Sequence, residues 1–156
     1  MTTASLPYRP NVCMLVFNRN GQLLLGERNN EAGSWQFPQG GVEDSESLEE
    51  NVIREVNEEL GISKKVLGRL IKLKATHEYD FAKIPDYAKG RWRGQSQTFW
   101  LVEFLGVDSD INVATEHPEF INWRWCDPNE ISRVADDRRR PGYEKPVSEF
   151  ISFLKS

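Results

Sequence analysis

Residues 40–62, GGVEDSESLEENVIREVNEELGI, have the pattern of a turn, an amphipathic helix and a helix stop. Ser45 is a typical N-cap residue and Gly61 is typical of the position just beyond a helix end, so the pattern predicts a helix over residues 46–60. Between Asp44 and Leu60 there are seven acidic side chains and one basic side chain, Arg54. This imbalance constrains both the packing of the helix and its chemistry.

The buried face of this helix follows from its angular spacing. With Glu55 at zero and about 100° per residue, one arc from about 20° to about 160° is apolar and contains Leu48, Val52, Ile53, Val56 and Leu60. Glu59 falls at about 40°, inside that arc, and Glu58 at about 300°, on the other side of Glu55. Arg54, at about 260°, points elsewhere. We therefore expect the three glutamates to converge along one edge of the buried face.

Three converging carboxylates at the end of a helix are electrostatically unfavourable. Like charges four residues apart repel, negative charge near a helix C-terminus meets the negative end of the dipole, and burial removes hydration. A divalent cation bound by oxygen ligands would compensate all three effects. The alternative is an acidic solvated face, which explains Glu46, Glu49 and Glu50 but does not explain Glu59.

Hard oxygen ligands favour Mg²⁺ or Mn²⁺ over Zn²⁺, which usually recruits His or Cys. The two histidines, His77 and His117, and the two separated cysteines form no zinc set in the sequence. Magnesium held by a few carboxylates usually keeps waters and positions phosphates, and clustered ions stabilise the attacking and leaving oxygens of a displacement. The chemistry indicated is attack of water on a phosphoanhydride.

Composition limits the class of protein. A chain of 156 residues, 38% hydrophobic and 28% charged, fits one globular domain over residues 1–156. A net charge of -4 argues against a protein that coats nucleic acid or anionic membrane through bulk charge. Cys13 and Cys126 favour two reduced thiols. The sequence has no secretory signal pattern and no apolar run of the roughly 20 residues that span a bilayer, which predicts a cytoplasmic protein.

The remaining chain predicts strands on both sides of the acidic helix. The strand candidates are NVCMLVF (11–17) and QLLLGER (22–28) as a hairpin, then VLGRLIKLKATHEY (66–79), SQTFWLVEFL (96–105) and FINWRWC (120–126). Helices are predicted over residues 127–134 and 144–154, and residues 80–94 are predicted to be a mobile loop. This order indicates an α/β fold with a mixed sheet covered by helices.

The acidic segment also resembles a known family. Gly40, Glu46 and REVNEELGI (54–62) are similar to the Nudix box without a mismatch. YRPNV, SWQFPQGG, GQSQTFW and PEFINWRW, outside the box, resemble the bacterial RNA pyrophosphohydrolases, which are closely related to the asymmetrically cleaving diadenosine tetraphosphate hydrolases. The resemblance covers most of the chain and is weakest after Asp127.

The resemblance implies a Nudix α/β/α sandwich with a central mixed sheet and a loop–helix–loop. It implies magnesium-dependent hydrolysis of the 5′ triphosphate or diphosphate end of RNA to a 5′ monophosphate, which promotes mRNA decay. Two alternatives stay open at this stage. One is a hydrolase of dinucleoside polyphosphates or nucleotides, and the other is a Nudix-like nucleotide-binding module without turnover.

The resemblance also implies the site residues. By this resemblance the protein would bind Mg²⁺ or Mn²⁺, with more than one ion when substrate is bound. The metal ligands would be the Gly40 carbonyl, Glu55, Glu58, Glu59 and Glu119. Arg54 would orient a box glutamate through a charge-assisted hydrogen bond. Either Glu59 or Glu119 would deprotonate or orient water, and the sequence does not choose between them.

Substrate recognition must come from outside the box. The candidate binding residues are Arg9, Arg28, Gln39, Tyr79, Arg91, Arg93, Gln95, Gln97 and Tyr143. Arginines beside aromatic rings could hold phosphates and stack a base, with Tyr87 and Trp92 as further aromatic candidates.

Two further segments bear on substrate binding. Arg138, Arg139 and Arg140 are either an RNA contact downstream of the 5′ end or an exposed surface run. Relatives often carry a lysine where this chain has Thr98, so a phosphate-binding cation is missing or supplied elsewhere.

Overall fold

A mixed sheet forms the centre of the molecule in the computed structural model, which describes residues 5–156. Within that range seven strands are present: β1 (Tyr8–Phe17), β2 (Leu23–Arg28), β3 (Trp35–Gln36), β4 (Gln39–Gly41), β5 (Leu67–Asp80), β6 (Gly94–Phe104) and β7 (Phe120–Cys126). The strand order is β3-β2-β1-β6-β5, with β4 paired to β1 and β7 paired to β2. β1 and β6 are parallel and the other pairs are antiparallel.

Three α-helices accompany the sheet in the described residues: α1 (Leu48–Leu60), α2 (Ile131–Val134) and α3 (Arg140–Leu154). The alternating side chains of β1 divide the interior into two cores, because successive residues of a strand face opposite sides. Val12 and Met14 join the core under α1, whereas Cys13 and Leu15 join the core under α3. The α/β sandwich with a mixed sheet is therefore confirmed.

The predicted strands are confirmed with shifted ends. β1 begins at Tyr8, three residues earlier than predicted, because its first residues pair with β6 in parallel register, Tyr8 opposite Gly94. The β1–β2 hairpin is antiparallel, with Phe17 opposite Leu23. Two short strands, β3 and β4, lie in the SWQFPQGG segment, for which no strand was predicted.

The predicted start of the acidic helix is wrong by two residues. The N-cap is Ser47 rather than Ser45, because Ser47 and Glu50 form a capping box in which each side chain bonds the other residue's backbone N–H. Gly61 ends the helix at a φ of 66°, in the left-handed region, as predicted. The terminal helix begins at Arg140, four residues earlier than predicted, with Pro141 in its first turn.

The prediction of two reduced thiols is confirmed. Cys13 and Cys126 are free and buried. Among the helices of residues 5–156, none combines the length and the apolar character that a membrane crossing requires.

Candidate active site

A cavity of about 780 Å³ opens beside the C-terminal half of α1. Its floor is formed by β4, β1, β6 and β5, and the start of α3 closes one side. Most residues predicted from the sequence line it: Arg9, Arg28, Gln39, Gly40, Glu55, Glu58, Glu59, Tyr79, Gln95, Gln97, Glu119 and Tyr143. Arg54, Arg91 and Arg93 do not line it.

Buried Asn51, which the sequence analysis did not single out, attaches the loop before α1 to the helix. Its Oδ1 accepts from the Glu43 N–H at 2.8 Å, and its Nδ2 donates to the Ser47 carbonyl at 2.8 Å. On the same angular scale Asn51 falls at about 320°, between Glu58 and Glu55 and outside the apolar arc, so the periodicity gives no signal of its burial. This attachment holds the loop between β4 and α1 against the helix that carries the glutamates.

Glu59 lies inside the apolar face, as its angle predicts. It is 7% exposed, and its Oε2 atom is buried without a hydrogen-bond partner. Burial raises the pKa of its carboxyl well above the ordinary value, and the charges of Glu55 and Glu119 raise this pKa further. A backbone hydrogen bond from Gln39 opposes the shift. The structure therefore places a poorly compensated acid at the wall of the cavity.

The two glycines before α1 permit close contacts of charged groups with the backbone. A Cβ on Gly40 would lie 2.1 Å from the Glu55 carboxyl carbon, and one on Gly41 would lie 2.1 Å from a guanidinium nitrogen of Arg9. Burial also raises the pKa of Glu55, although Arg54 opposes this shift. Any side chain at either glycine would displace a charged group of the cavity.

The expectation that Arg54 points away from the glutamates is wrong. Its Nε donates to Glu46 at 2.7 Å, and its Nη1 donates to Glu55 at 2.9 Å and to Glu58 at 3.3 Å. The angular estimate gives the direction of Cβ, but a side chain as long as arginine can turn across the helix surface. Arg54 thus supplies part of the compensation that the sequence analysis had assigned to a cation. Glu59 receives none of it.

The oxygen atoms of the site suit a divalent cation. The donor set is carboxylates and a backbone carbonyl, the ligands that hard cations prefer, and the buried Glu59 Oε2 lacks any other partner. Within residues 5–156, however, no three Asp, Glu, His or Cys side chains are gathered closely enough to enclose an ion as they stand. The Arg54 contacts hold Glu55 and Glu58 while Glu59 faces inward, which accounts for this separation.

A row of hydrogen-bonded amides crosses the cavity floor. Gln97 Nε2 donates to Asn11 Oδ1 at 3.0 Å and also to Gln39 Oε1. Asn11 Nδ2 donates to Gln95 Oε1 at 2.9 Å, and Gln95 Nε2 donates to the Tyr79 hydroxyl at 2.6 Å. Asn11, Gln95 and Gln97 are buried, so each bond constrains the next. No sequence pattern marks Asn11 as part of this row, because its place depends on its register opposite Gln97.

The direction of these bonds decides what the floor presents to a ligand. Gln39 accepts through its oxygen, which leaves its amide nitrogen as a donor. The Tyr79 oxygen accepts from Gln95 and from Arg139 Nη1 at 3.0 Å, so its own O–H is left to donate. Both ends of the row can therefore donate hydrogen bonds to an anion.

The arginine run at residues 138–140 separates in the structure. Arg138 pairs with Asp136 at 2.6 Å and with Glu31, and Arg140 pairs with Asp137 at 2.7 Å. Arg139 turns inward, lines the cavity, and has no carboxylate partner among residues 5–156. It supplies a cavity cation that the sequence analysis had grouped with its exposed neighbours.

The side chains of three predicted binding residues interact with other parts of the protein. Tyr143 is buried, accepts from the Phe37 N–H at 3.1 Å, and packs its ring 4.4 Å from the Phe37 ring, so no ring face is left for stacking. Arg93 does not line the cavity, and it pairs at 2.9 Å with Asp80, which does. Arg91, also outside it, lies 5.4 Å from the Trp92 ring.

Comparisons with known proteins agree with this geometry. The NUDIX domain matches residues 7–150. The RNA pyrophosphohydrolase of Roseobacter denitrificans is 43% identical over 154 residues, which cover 97% of this chain and 96% of the relative. The RNA pyrophosphohydrolase of Rickettsia prowazekii is 36% identical over 153 residues, 96% of this chain and 94% of the relative. An Ap4A hydrolase of C. elegans in a binary complex shares the fold, with a TM-score of 0.66 at 22% identity over 94% of this chain and 98% of that one.

Proposed function

The chain belongs to the NUDIX family, and from this premise we propose that it is an RNA 5′ pyrophosphohydrolase. It is a hydrolase of phosphoanhydride bonds, and its proposed reaction converts the 5′ triphosphate or diphosphate end of RNA to a 5′ monophosphate, which promotes mRNA decay. One observation carries the proposal. A single cavity brings an acidic wall, in which the Oε2 atom of Glu59 is buried and unpartnered, opposite a floor of hydrogen-bond donors and the cations Arg9, Arg28 and Arg139.

Hydrolases of this family use divalent metal ions, and we propose Mg²⁺, with Mn²⁺ as a substitute, and more than one ion when substrate is bound. Glu55, Glu58, Glu59, Glu119 and the Gly40 carbonyl would hold them. When bound, such ions neutralise phosphate oxygens and lower the pKa of coordinated water.

The chain's own residues supply binding and proton transfer. Arg9 and Arg28 would bind the phosphates, together with the donors at the two ends of the amide row, Gln39 and Tyr79. Glu59 or Glu119 would take the proton of the attacking water. Arg54 would keep Glu55 in place through the 2.9 Å hydrogen bond, so that the ligand set is oriented before substrate arrives. Most of the catalysis would come from positioning and charge stabilisation.

The main rival substrate is a dinucleoside polyphosphate, because the same acidic wall would serve either reaction. The fold shared with the Ap4A hydrolase does not favour that substrate, since the identity of 22% supports only the architecture. A binding module without turnover is the second rival. We also propose that the protein is cytoplasmic and that residues 1–156 act as one domain.

A competition experiment tests the proposal. The purified protein receives equal concentrations of 5′-triphosphate RNA, 5′-diphosphate RNA and diadenosine tetraphosphate with Mg²⁺, and kcat/KM is compared. We expect the RNA substrates to have the higher kcat/KM, and the Glu59→Gln variant to be nearly inactive on all three. A strong preference for the dinucleotide would reject the RNA assignment. A folded protein that hydrolyses none of them would support the binding module.

A further inference from the structure

We propose that the RNA chain leaves the cavity across the connection between β5 and β6, over a surface that we call the exit strip. It consists of Phe81, Lys83, Tyr87, Arg91 and Trp92. This inference rests on the proposed function and adds the path of the nucleotides that follow the reacting 5′ end. Two sides of the cavity carry arginine or lysine, so the choice between them depends on which cations are free to meet phosphates.

On the side formed by Arg28 and the start of α3, the exposed arginines lie beside acids, and the cation without an acidic partner, Arg139, is turned into the cavity, where its Nη1 donates to the Tyr79 hydroxyl. Arg138 is held by Asp136 and Glu31, and Glu31 also lies 4.0 Å from Arg28. A hydrogen bond from Ser34 to Asp136, at 2.5 Å, fixes one of these acids in place. Phosphates arriving here would meet paired cations and two carboxylates. The structure therefore disfavours the hypothesis that Arg138 and Arg140 contact downstream RNA.

The opposite side has cations without acidic partners. Lys83 lines the cavity and is exposed, and Arg91 is exposed a short distance along the same connection. Neither forms an ion pair with another residue in the range 5–156. Lys89 lies between them in sequence and pairs with Asp86 at 3.0 Å, but Asp86 is almost fully exposed and water screens that pair. A polyanion would find unpaired positive charge on this side.

Aromatic rings lead from the cavity to the same surface. The Tyr79 ring, inside the cavity, meets Phe81 edge-on with 6.2 Å between centroids, and Phe81 meets Tyr87 edge-on at 6.3 Å. Tyr87 is 50% exposed and is the one exposed Phe, Tyr or Trp ring within the described chain. The Arg9 guanidinium lies 4.8 Å from its centroid and covers one face of the ring. The ring is thus supported from one side and exposed at the mouth of the cavity.

Rings and unpaired cations in this alternation suit single-stranded RNA. Bases stack on aromatic side chains with little dependence on sequence, while lysine and arginine contact the backbone. Trp92, with Arg91 at 5.4 Å, repeats the arrangement of Tyr87 and Arg9 farther along the connection. The exit strip therefore has an exposed stacking surface at Tyr87 and a half-buried one at Trp92, with the unpaired cations Lys83 and Arg91 on the same connection.

The test compares two triphosphate RNAs that share their 5′ sequence, one of two nucleotides and one of about ten. The readout is the ratio of kcat/KM for the long RNA to kcat/KM for the short RNA. We expect this ratio to exceed one in the wild type and to fall about tenfold in Tyr87→Ala, from the loss of one stacked base. Lys83→Ala and Arg91→Ala should each lower the ratio several-fold and reduce the salt dependence for the long RNA by about one phosphate contact.

Matched variants separate stacking and charge from general disturbance. Tyr87→Trp should keep the ratio, whereas Tyr87→Leu should lose it, because only the former retains a π face. Lys155→Ala removes one positive charge outside the cavity and should leave the ratio unchanged. All of these positions are exposed, and thermal unfolding verifies that each variant folds.

The outcomes distinguish the inference from the proposed function. A wild type that hydrolyses neither RNA contradicts the proposed function itself. A wild type that hydrolyses both RNAs with equal kcat/KM contradicts the exit strip, as does a ratio that survives all three alanine variants. A ratio that falls in Arg138→Ala but not in Tyr87→Ala would place the RNA on the other side and overturn the inference.

Discussion

Replacing Glu59 with Gln should stabilise the metal-free protein while it removes hydrolysis. The wild-type side chain is a buried carboxylate with one unpartnered oxygen beside Glu55 and Glu119. Gln has nearly the same shape but no charge, so the variant removes the penalty for burying a charged group, which is at least about 1–3 kcal/mol, and the repulsion between like charges. We expect a gain of about 1–2 kcal/mol in the free energy of unfolding at pH 7. For a chain of this length, that gain raises Tm by roughly 2–8 °C.

The pH dependence gives this prediction a definite sign. Because the pKa of Glu59 is raised in the folded state, the folded protein keeps this proton at a pH where the unfolded chain has released it. The wild type therefore loses this contribution as pH rises from the unfolded value of about 4.3 towards the raised folded pKa. Below that window both states are protonated. The difference in Tm between Glu59→Gln and the wild type should grow as pH rises.

Thermal unfolding in EDTA between pH 4 and pH 8 measures this effect. Glu58→Gln is the matched control, because the Glu58 side chain is 56% exposed and its charge is screened by water, so its Tm should stay close to that of the wild type. Adding Mg²⁺ should raise the Tm of the wild type more than that of Glu59→Gln, because ligands that bind the folded state stabilise it. A wild type more stable than Glu59→Gln at pH 7 in EDTA, or a difference independent of pH, would refute the reasoning.

Three further substitutions test the rest of the site. Gly40→Ala should reduce kcat/KM by about 100-fold, because the added Cβ displaces the Glu55 carboxyl that lies 2.1 Å away, and circular dichroism should show an intact fold. Asn11→Asp should raise KM about tenfold with little change in kcat. A carboxylate only accepts hydrogen bonds, so the Gln95 amide must flip to donate to it, and Tyr79 must then donate its O–H to the Gln95 oxygen instead of to a substrate phosphate. Its effect should largely vanish in a Tyr79→Phe background, whereas additive effects in that double-mutant cycle would contradict the mechanism. Arg54→Ala should lower kcat and weaken Mg²⁺ binding in a titration, and Arg54→Lys should recover only part of both, because lysine cannot reproduce the planar fork.

Local periodicity predicted the parts of the site that depend on one helix. The angle of Glu59 within the apolar stripe was sufficient to predict its burial, because helical geometry fixes the direction of each Cβ. The same argument failed for Arg54, whose long side chain is not confined to the direction of its Cβ. The N-cap was also available in the sequence, since Ser47 and Glu50 have the spacing of a capping box and Ser45 has no acid or amide three residues later.

Other parts of the site depend on contacts between distant segments. The amide row exists because β1 and β6 pair in parallel with Asn11 opposite Gln97, and one sequence does not reveal that register. The run of arginines had no periodicity that would mark Arg139 as the inward residue. Its neighbours face outward because each has a nearby acid, and Arg139 has none among residues 5–156. Charge pairing in the folded chain, rather than composition, decides which cations remain available.

The ion pairs on the acidic wall and the hydrogen bonds on the floor also explain how an acidic site can bind an anionic substrate. On the acidic wall, Arg54 satisfies Glu55 and Glu58 internally, which leaves the buried Glu59 as the group with most to gain from a cation. On the floor, each amide oxygen that holds the row together is already used, so donors remain for phosphate oxygens. A cation held on the wall and a phosphate held on the floor would each reduce the energetic cost of binding the other. The stability that Glu59 takes from the metal-free fold is thus the source of its affinity for a divalent ion, and a site relaxed to remove that instability would bind the ion less tightly.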